Sequence, residues 1–229
     1  MKGHNLKKVF ILFGSTGDLG RSAVEYFMNK DFDYFYFISR KQFEVNFKNE
    51  NYRLIIAGDL SIEENVKYVF SNISKESSAS YFLFDTIGGF SGGKNIWETA
   101  FNDWSKMLNM NLTTSFLIGK HFAKFIQGTN GGSICYTSAA SGFKNEKGKI
   151  AYGLSKNAVN YLVKSIAVEG KEIRLCANAV APNIIDTPAN REWVDDENRL
   201  VNTKTICDAV YNFFNGYPEA SGEIIQLMH

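Results

Sequence analysis

Three prolines, three cysteines and three histidines are all that this chain of 229 residues carries. Pro182, Pro188 and Pro218 all lie late in the chain, so no proline-rich linker divides it and a single domain spanning 1–229 is expected. Cys135, Cys176 and Cys207 are odd in number and widely spaced, which excludes a disulfide framework and suits the reduced thiols of a cytoplasmic protein. His4, His121 and His229 stand apart from one another and from the cysteines, leaving no metal-ligand spacing. Neither charge dominates: 25 basic residues face 24 acidic ones, so the balance implies no nucleic-acid or anionic-membrane partner. No apolar run approaches the roughly 18 residues of a membrane span. The basic start MKGHNLKK leads only into the short run VFILF, too short for a secretory signal core.

What the chain does have is a series of short, continuous apolar runs. VFILF (9–13), YFYFIS (34–39), RLIIAG (53–58), YFLFDTI (81–87), SICYTS (133–138), RLCANAV (174–180) and EIIQLM (223–228) lack the alternation of half-exposed strands. Strands buried on both faces read this way. Helical patterns are expected between them near 19–29, 62–74, 101–127, 151–169 and 203–215. The alternation predicts an α/β protein: one doubly wound parallel sheet of about seven strands with helices on both faces. On the helix at 151–169, Leu154, Ala158, Leu162 and Ile166 form one apolar stripe, with Val159, Val163 and Ala167 beside it. So wide an arc predicts cover from the sheet and from a second subunit.

The first strand runs into GSTGDLGR, with Gly14, Gly17 and Gly20 around Ser15, Thr16, Asp18 and Leu19, and a helix follows. Such a loop can be a plain tight turn. After the first strand of this series, it also suits a pyrophosphate met by the free amides of a helix N-terminus. No Gly-Lys-Ser/Thr follows, which excludes a P-loop. The second strand ends in Ser39, Arg40 and Lys41, with no acid nearby to bond a ribose 2′-hydroxyl. The basic pair favours a 2′-phosphate and therefore NADP, the alternative being a solvated turn. The third strand leads to Asp59 and Leu60, where an adenine would lie.

Tyr152 and Lys156 stand four apart at a helix start and share a face. A phenol works poorly as an acid or base near neutrality unless a cation stabilises its phenolate. A lysine one turn away does that, and can also bond ribose hydroxyls.

Taken together, these pieces resemble the short-chain dehydrogenase/reductase family from end to end. The matching segments are the loop at 14–20, Asp59, IGG (Ile87, Gly88, Gly89), Asn111 in NMNLTTS, YGLSK at 152–156, NAVAPNIIDT at 178–187 and SGEIIQL at 221–227. The resemblance implies a Rossmann-type domain, hydride transfer from a nicotinamide, and a homodimer or homotetramer acting on a small molecule. It assigns Tyr152 as general acid/base, Lys156 as ribose anchor and phenol tuner, and Asn111 as support for a proton-relay water. Pro182, Ile184, Ile185 and Thr187 would hold the nicotinamide carboxamide.

Three departures stand out. Asp18 replaces the usual middle glycine, DTIG (85–88) replaces NNAG, and Ala139 occupies the position of the family's catalytic serine, thirteen residues before the tyrosine. Ser138 and Ser141 flank that position but would point elsewhere at a strand end unless the loop shifts register, in which case Ser138 is the candidate to replace the missing hydroxyl. The dihydropteridine reductase branch also lacks the serine and is similar in its GxxGxLG loop, in GGFSGG (88–93) and in IDTPANR (185–191). Asn111 and Arg40 depart from that branch's animal enzyme. Phe90, Trp97, Phe143 and Trp193 are expected to line a pocket for a flat ring, under a short charged cover at 191–199. The competing readings are an ordinary carbonyl reductase, for example of 3-oxoacyl groups, with Ser138 standing in, and a catalytically silent NADP-binding regulator.

Overall fold

The computed structural model describes residues 6–45 and 51–228; His4, His229 and most of the basic start lie outside the described residues. Seven parallel strands form the central sheet in the order β3-β2-β1-β4-β5-β6-β9. They are β1 (Lys7–Phe13), β2 (Tyr34–Ser39), β3 (Tyr52–Ile56), β4 (Ala79–Asp85), β5 (Gly132–Thr137), β6 (Leu175–Pro182) and β9 (Ile224–Leu227). Parallel register runs through it, with Ile11 opposite both Tyr36 of β2 and Leu83 of β4. The chain winds from β1 outward to β3, returns, and builds β4 on the other side of β1. That reversal opens a crevice beyond the carboxyl ends of β1 and β4, where sheets of this kind bind ligands.

The continuous apolar runs are explained by cover on both faces. One face packs Ile11, Phe13, Tyr81, Leu83 and Ile134 against α2 (Glu63–Ser71), α4 (Thr114–Ile126) and α5 (Ile150–Glu169). The other packs Phe10, Leu12, Phe35 and Phe84 against α1 (Asp18–Phe27) and α7 (Thr203–Asn215). Phe10 stacks on Phe27 with centroids 4.3 Å apart. Each fully buried phenylalanine of this kind contributes about 2–3 kcal/mol of transfer free energy. Beyond β6, the two-residue strand β7 (Ile184–Ile185) pairs with β8 (Leu200–Val201), and α6 (Pro188–Arg191) lies between them. No helix among the described residues is long and apolar enough to cross a membrane.

The expected helix at 101–127 is interrupted. It consists of α3 (Phe101–Leu108), a wide π-turn at Asn109–Thr113, and α4. Thr114 Oγ1 donates to Asn109 O at 3.0 Å, giving a partner to a carbonyl in the wide turn. Periodicity could not show this, because both sides of the break remain apolar.

Candidate active site

The glycine loop leaves β1 and feeds directly into α1. Gly14 has φ +84°, and a Cβ there would sit 2.6 Å from Thr86 Oγ1. At Gly20 a Cβ would come within 2.0 Å of Gly14 O, so the helix can close on the loop only with glycine there. Ser15 is fully buried and donates through its hydroxyl to Ile38 O at 3.0 Å, fastening the loop to β2. Thr86 Oγ1 fastens it on the other side, to Phe13 O at 2.7 Å. Gly17 is the N-cap of α1 and supplies no side-chain acceptor, so no capping side chain occupies the first-turn amides at Asp18, Leu19 and Gly20. Gly17 and Asp18 are exposed there and Thr16 is half-buried, while Leu19 packs inward.

The expected ribose and adenine contacts lie on the same sheet edge. Ser39 is buried and its hydroxyl bonds Lys41 O at 2.6 Å, turning the exposed Arg40 and Lys41 toward solvent. Asp59 accepts from Ser61 N at 2.9 Å and Ser61 Oγ at 2.8 Å. These bonds hold its carboxyl below the usual range, with the charge of Arg40 adding to the effect. Leu60 beside it is buried. Pro182 ends β6, Ile184 and Ile185 form β7, and the buried Thr187 caps α6 by accepting from Asn190 N at 3.2 Å. These residues follow the carboxyl end of β6, on the edge that carries the glycine loop.

The π-turn aims Asn111 into the protein. Its Oδ1 accepts from Gly89 N at 2.9 Å, and its Nδ2 donates to Gly89 O at 3.1 Å and to Ser155 Oγ at 3.0 Å. Asn111 therefore clamps the strip after β4 against α5. A side chain at Gly88 would press on the site, since a Cβ would lie 2.9 Å from Lys156 Nζ and 3.1 Å from Asn111 Oδ1 and displace one or both. Ile87 is half-buried, and its amide donates to Asp85 Oδ1 at 3.0 Å.

Lys156 is buried and donates to Thr137 O at 2.8 Å. Burial lowers its pKa to about 8, against the opposing charge of Asp85. Tyr152 lies one turn earlier on the same helix face and meets Phe90 edge-on, centroids 5.0 Å apart. The sequence reading expected Lys156 to draw the phenol down. Instead the phenol is pushed up to about 12, first by burial and then by the Glu146 carboxylate.

Ser138, the candidate to replace the missing serine, has its hydroxyl committed elsewhere. Its hydroxyl is buried and bonds Asn160 Oδ1 at 2.5 Å and Lys156 O at 3.3 Å, on the inner side of α5. Ser138 and Ala139 both follow the end of β5, and Ala139, also buried, leads into the turn at 140–142 without a hydroxyl to offer. Ser141 is also committed, to Glu146 Oε2 at 2.5 Å. Glu146 accepts from Lys149 Nζ at 2.9 Å as well, and against its partial burial these partners hold it below the usual carboxylate range.

The four expected pocket aromatics separate into two pairs. Phe90 lies beside Tyr152 and near-parallel to Trp193, at 6.5 Å and 20°. Trp97 and Phe143 instead line a second hollow of about 540 Å³ bounded by Lys94, Glu146, Leu154 and Asn157. Gly93 N donates to Gly148 O at 2.8 Å, joining the two loops that frame that hollow. The charged cover at 191–199 is exposed, and Arg191 is tied to Asp186 by two hydrogen bonds. Sequence reasoning noted Asp85 and Thr86 only within the departure DTIG and gave no role to them, to Glu146 or to Ser155; the one legible signal was a carboxylate closing an otherwise apolar strand.

A sheet edge with open helix amides, next to a half-buried tyrosine and a buried lysine one helical turn apart, defines a nucleotide-dependent oxidoreductase site. The short chain dehydrogenase family model matches residues 8–198, and the chain belongs to that family. Among curated relatives, the dihydropteridine reductase of Dictyostelium discoideum is 27% identical over 198 residues, covering 84% of this chain and 80% of that protein. Dehydrogenase/reductase SDR family member 6 of Xenopus laevis is 28% identical over 189 residues, 82% of this chain and 75% of the relative. Among solved structures, a Tyr-to-Phe variant of ElxO with NADPH bound superposes with TM-score 0.84 at 25% identity, covering 96% of each chain. Gox2181 shares the fold with TM-score 0.82 at 17% identity, over 96% of this chain and 94% of the other.

Proposed function

We propose that this protein is an NADPH-dependent reductase that delivers hydride to a small flat ring, as a dihydropteridine reductase does, and works as a homodimer or homotetramer. The observation that carries the substrate class is the pairing of Ala139 with an inward-turned Ser138 beside the aromatic wall of Phe90 and Trp193. Tyr152 then supplies the catalytic hydroxyl without help from a serine. A carbonyl substrate develops oxyanion charge that a second donor stabilises. A quinonoid pterin takes its proton on ring nitrogen and has no such need. The similarity to the Dictyostelium dihydropteridine reductase and the NADPH named in the ElxO structure support this reading.

The residues present fit a dinucleotide. Gly17 is exposed, the first-turn amides of α1 lack a capping side chain, and Lys156 makes one hydrogen bond out of three available N–H groups. Bound there, NADPH supplies the hydride. Gly14–Gly20 would seat the pyrophosphate, Arg40 and Lys41 would meet the 2′-phosphate, and Asp59 with Leu60 would flank the adenine. Lys156 holds ribose hydroxyls, while Gly88 leaves room for its ammonium. Pro182–Thr187 orients the carboxamide. Tyr152, fully protonated at neutral pH, donates the proton, which suits the reducing direction. Exposed Phe116 on α4 with Leu154, Tyr161 and Val168 on α5 supplies the apolar face for a second subunit.

The test is NADPH oxidation with quinonoid dihydropterin, simple ketones, quinones and acyl thioesters in parallel. Turnover of the pterin at least tenfold above the others is expected. Restoring the serine with Ala139→Ser should raise ketone turnover and leave pterin turnover unchanged. Ketone turnover that dominates in the native enzyme, and collapses in Ser138→Ala, would overturn the reading.

A further inference from the structure

Asp85 is the last residue of β4, and it is 1% exposed. It ends a strand whose other members, Ala79 to Phe84, are all buried. A carboxylate in such a place costs several kcal/mol unless its charge is met. Three groups meet it. Ile87 N donates to Oδ1 at 3.0 Å, Ser115 Oγ of α4 donates to Oδ2 at 3.0 Å, and the third is the field of Lys156. No direct ion pair joins Asp85 to Lys156; Thr137 bridges them. Thr137 Oγ1 donates to Asp85 O at 2.8 Å, and Lys156 Nζ donates to Thr137 O at 2.8 Å.

The electrostatics agree from both ends. Burial pushes the Asp85 carboxyl up to about 6, opposed by Ile87, Ser115 and Lys156. Burial pulls Lys156 down to about 8, opposed by Asp85 alone. The other titratable groups around Asp85 are Cys135 and Tyr136 on β5, both raised by burial first and by Asp85 second, so they stay neutral near pH 7. α4 contributes only the neutral Ser115, and the π-turn only the neutral Asn111. On α5, Tyr152 is neutral at this pH, and Glu146 acts on Tyr152. Between about pH 6 and pH 8, Asp85 and Lys156 are thus an isolated buried pair of opposite charges.

We propose that Asp85 is the counter-charge of Lys156, a positioning carboxylate beneath the site that keeps the lysine in its ammonium form. This rests on the reading that Lys156 works as a cation beside Tyr152. An asparagine at 85 could fill the same volume, accept from Ile87 N through Oδ1 and donate from Nδ2 to the Ser115 hydroxyl, which can reverse its role, but it supplies no charge. The lysine would then lose its proton closer to neutrality.

The experiment is Asp85→Asn, followed in two ways. In protein labelled with 13C-lysine, the Cε shift of Lys156 is titrated by NMR, its resonance assigned with Lys156→Met. This needs neither substrate nor turnover, so it stands apart from the assignment of function. The expected result is a native midpoint near 8 that falls by at least about one pH unit, tenfold in acidity. In parallel, the alkaline limb of the kcat–pH profile should move down by the same amount. A Lys156 midpoint within about 0.3 pH units of native in folded Asp85→Asn overturns the proposal. Should that variant fail to fold, Ser115→Ala removes one donor and keeps the charge. It should raise the acid limb of the profile by at least half a pH unit, and an unmoved acid limb overturns the proposal equally.

Discussion

Lys156 should make the protein grow more stable as the pH rises from 7.5 to 10. Its folded-state pKa is depressed from 10.5 to about 8, chiefly by burial. A depressed lysine binds fewer protons folded than unfolded between those two values. Stability therefore rises with pH across that window. At about 1.4 kcal/mol per pH unit, the whole displacement corresponds to roughly 3 kcal/mol held against the ammonium form. The part falling between pH 7.5 and 10 is roughly 2 kcal/mol. Lys156→Met fills the same cavity with an apolar stem and removes the titration, though it leaves Thr137 O without its donor. The constant cost of that lost bond, about 1 kcal/mol, cancels when each protein is compared with itself at the two pH values. Urea unfolding followed by circular dichroism at pH 7.5 and 10 gives the two differences. The native protein should gain about 2 kcal/mol more than the variant. Parallel changes, within about 0.5 kcal/mol, would show that the lysine is not held against its charge, and the account of the buried pair would fail with it.

Tyr152→Phe should lower kcat by two or more orders of magnitude while NADPH affinity, read by fluorescence titration, changes by less than about threefold. Arg40→Asp should invert the cofactor preference, since the residue is exposed at the end of β2 where a 2′-phosphate would sit; equal NADPH and NADH constants in the native protein at low salt would refute it. Gly20→Ala should abolish dinucleotide binding or unfold the loop, because its Cβ would lie 2.0 Å from Gly14 O, a clash with backbone that cannot move aside. Sedimentation at micromolar concentration should show a dimer or tetramer, and replacing exposed Tyr161 and Val168 by lysine should yield a monomer.

The strand runs were legible because a parallel sheet covered on both faces demands unbroken apolar stretches, and local composition alone expresses that demand. The glycine loop and the Tyr152–Lys156 spacing were legible for a similar reason: backbone approach and helix pitch act over a few residues. The order of these segments along the chain then pointed to the short-chain dehydrogenase family before any geometry was known. Other features depend on residues far apart in sequence. The π-turn at Asn109–Thr113 sits where apolar periodicity continues on both sides, and what it does, presenting Asn111 to Gly89, shows only across the fold. Trp97 and Phe143 looked equivalent to Phe90 and Trp193 as aromatic residues, yet the loops place them in a different hollow. Sequence could say that Ser138 points elsewhere at a strand end, but only the fold shows its hydroxyl spent on Asn160 of α5. Asp85 is the clearest case. Its sequence neighbours say only that a carboxylate ends an apolar strand, but its charge acts on Lys156, 71 residues later, and through-space fields follow tertiary distance rather than position in the chain.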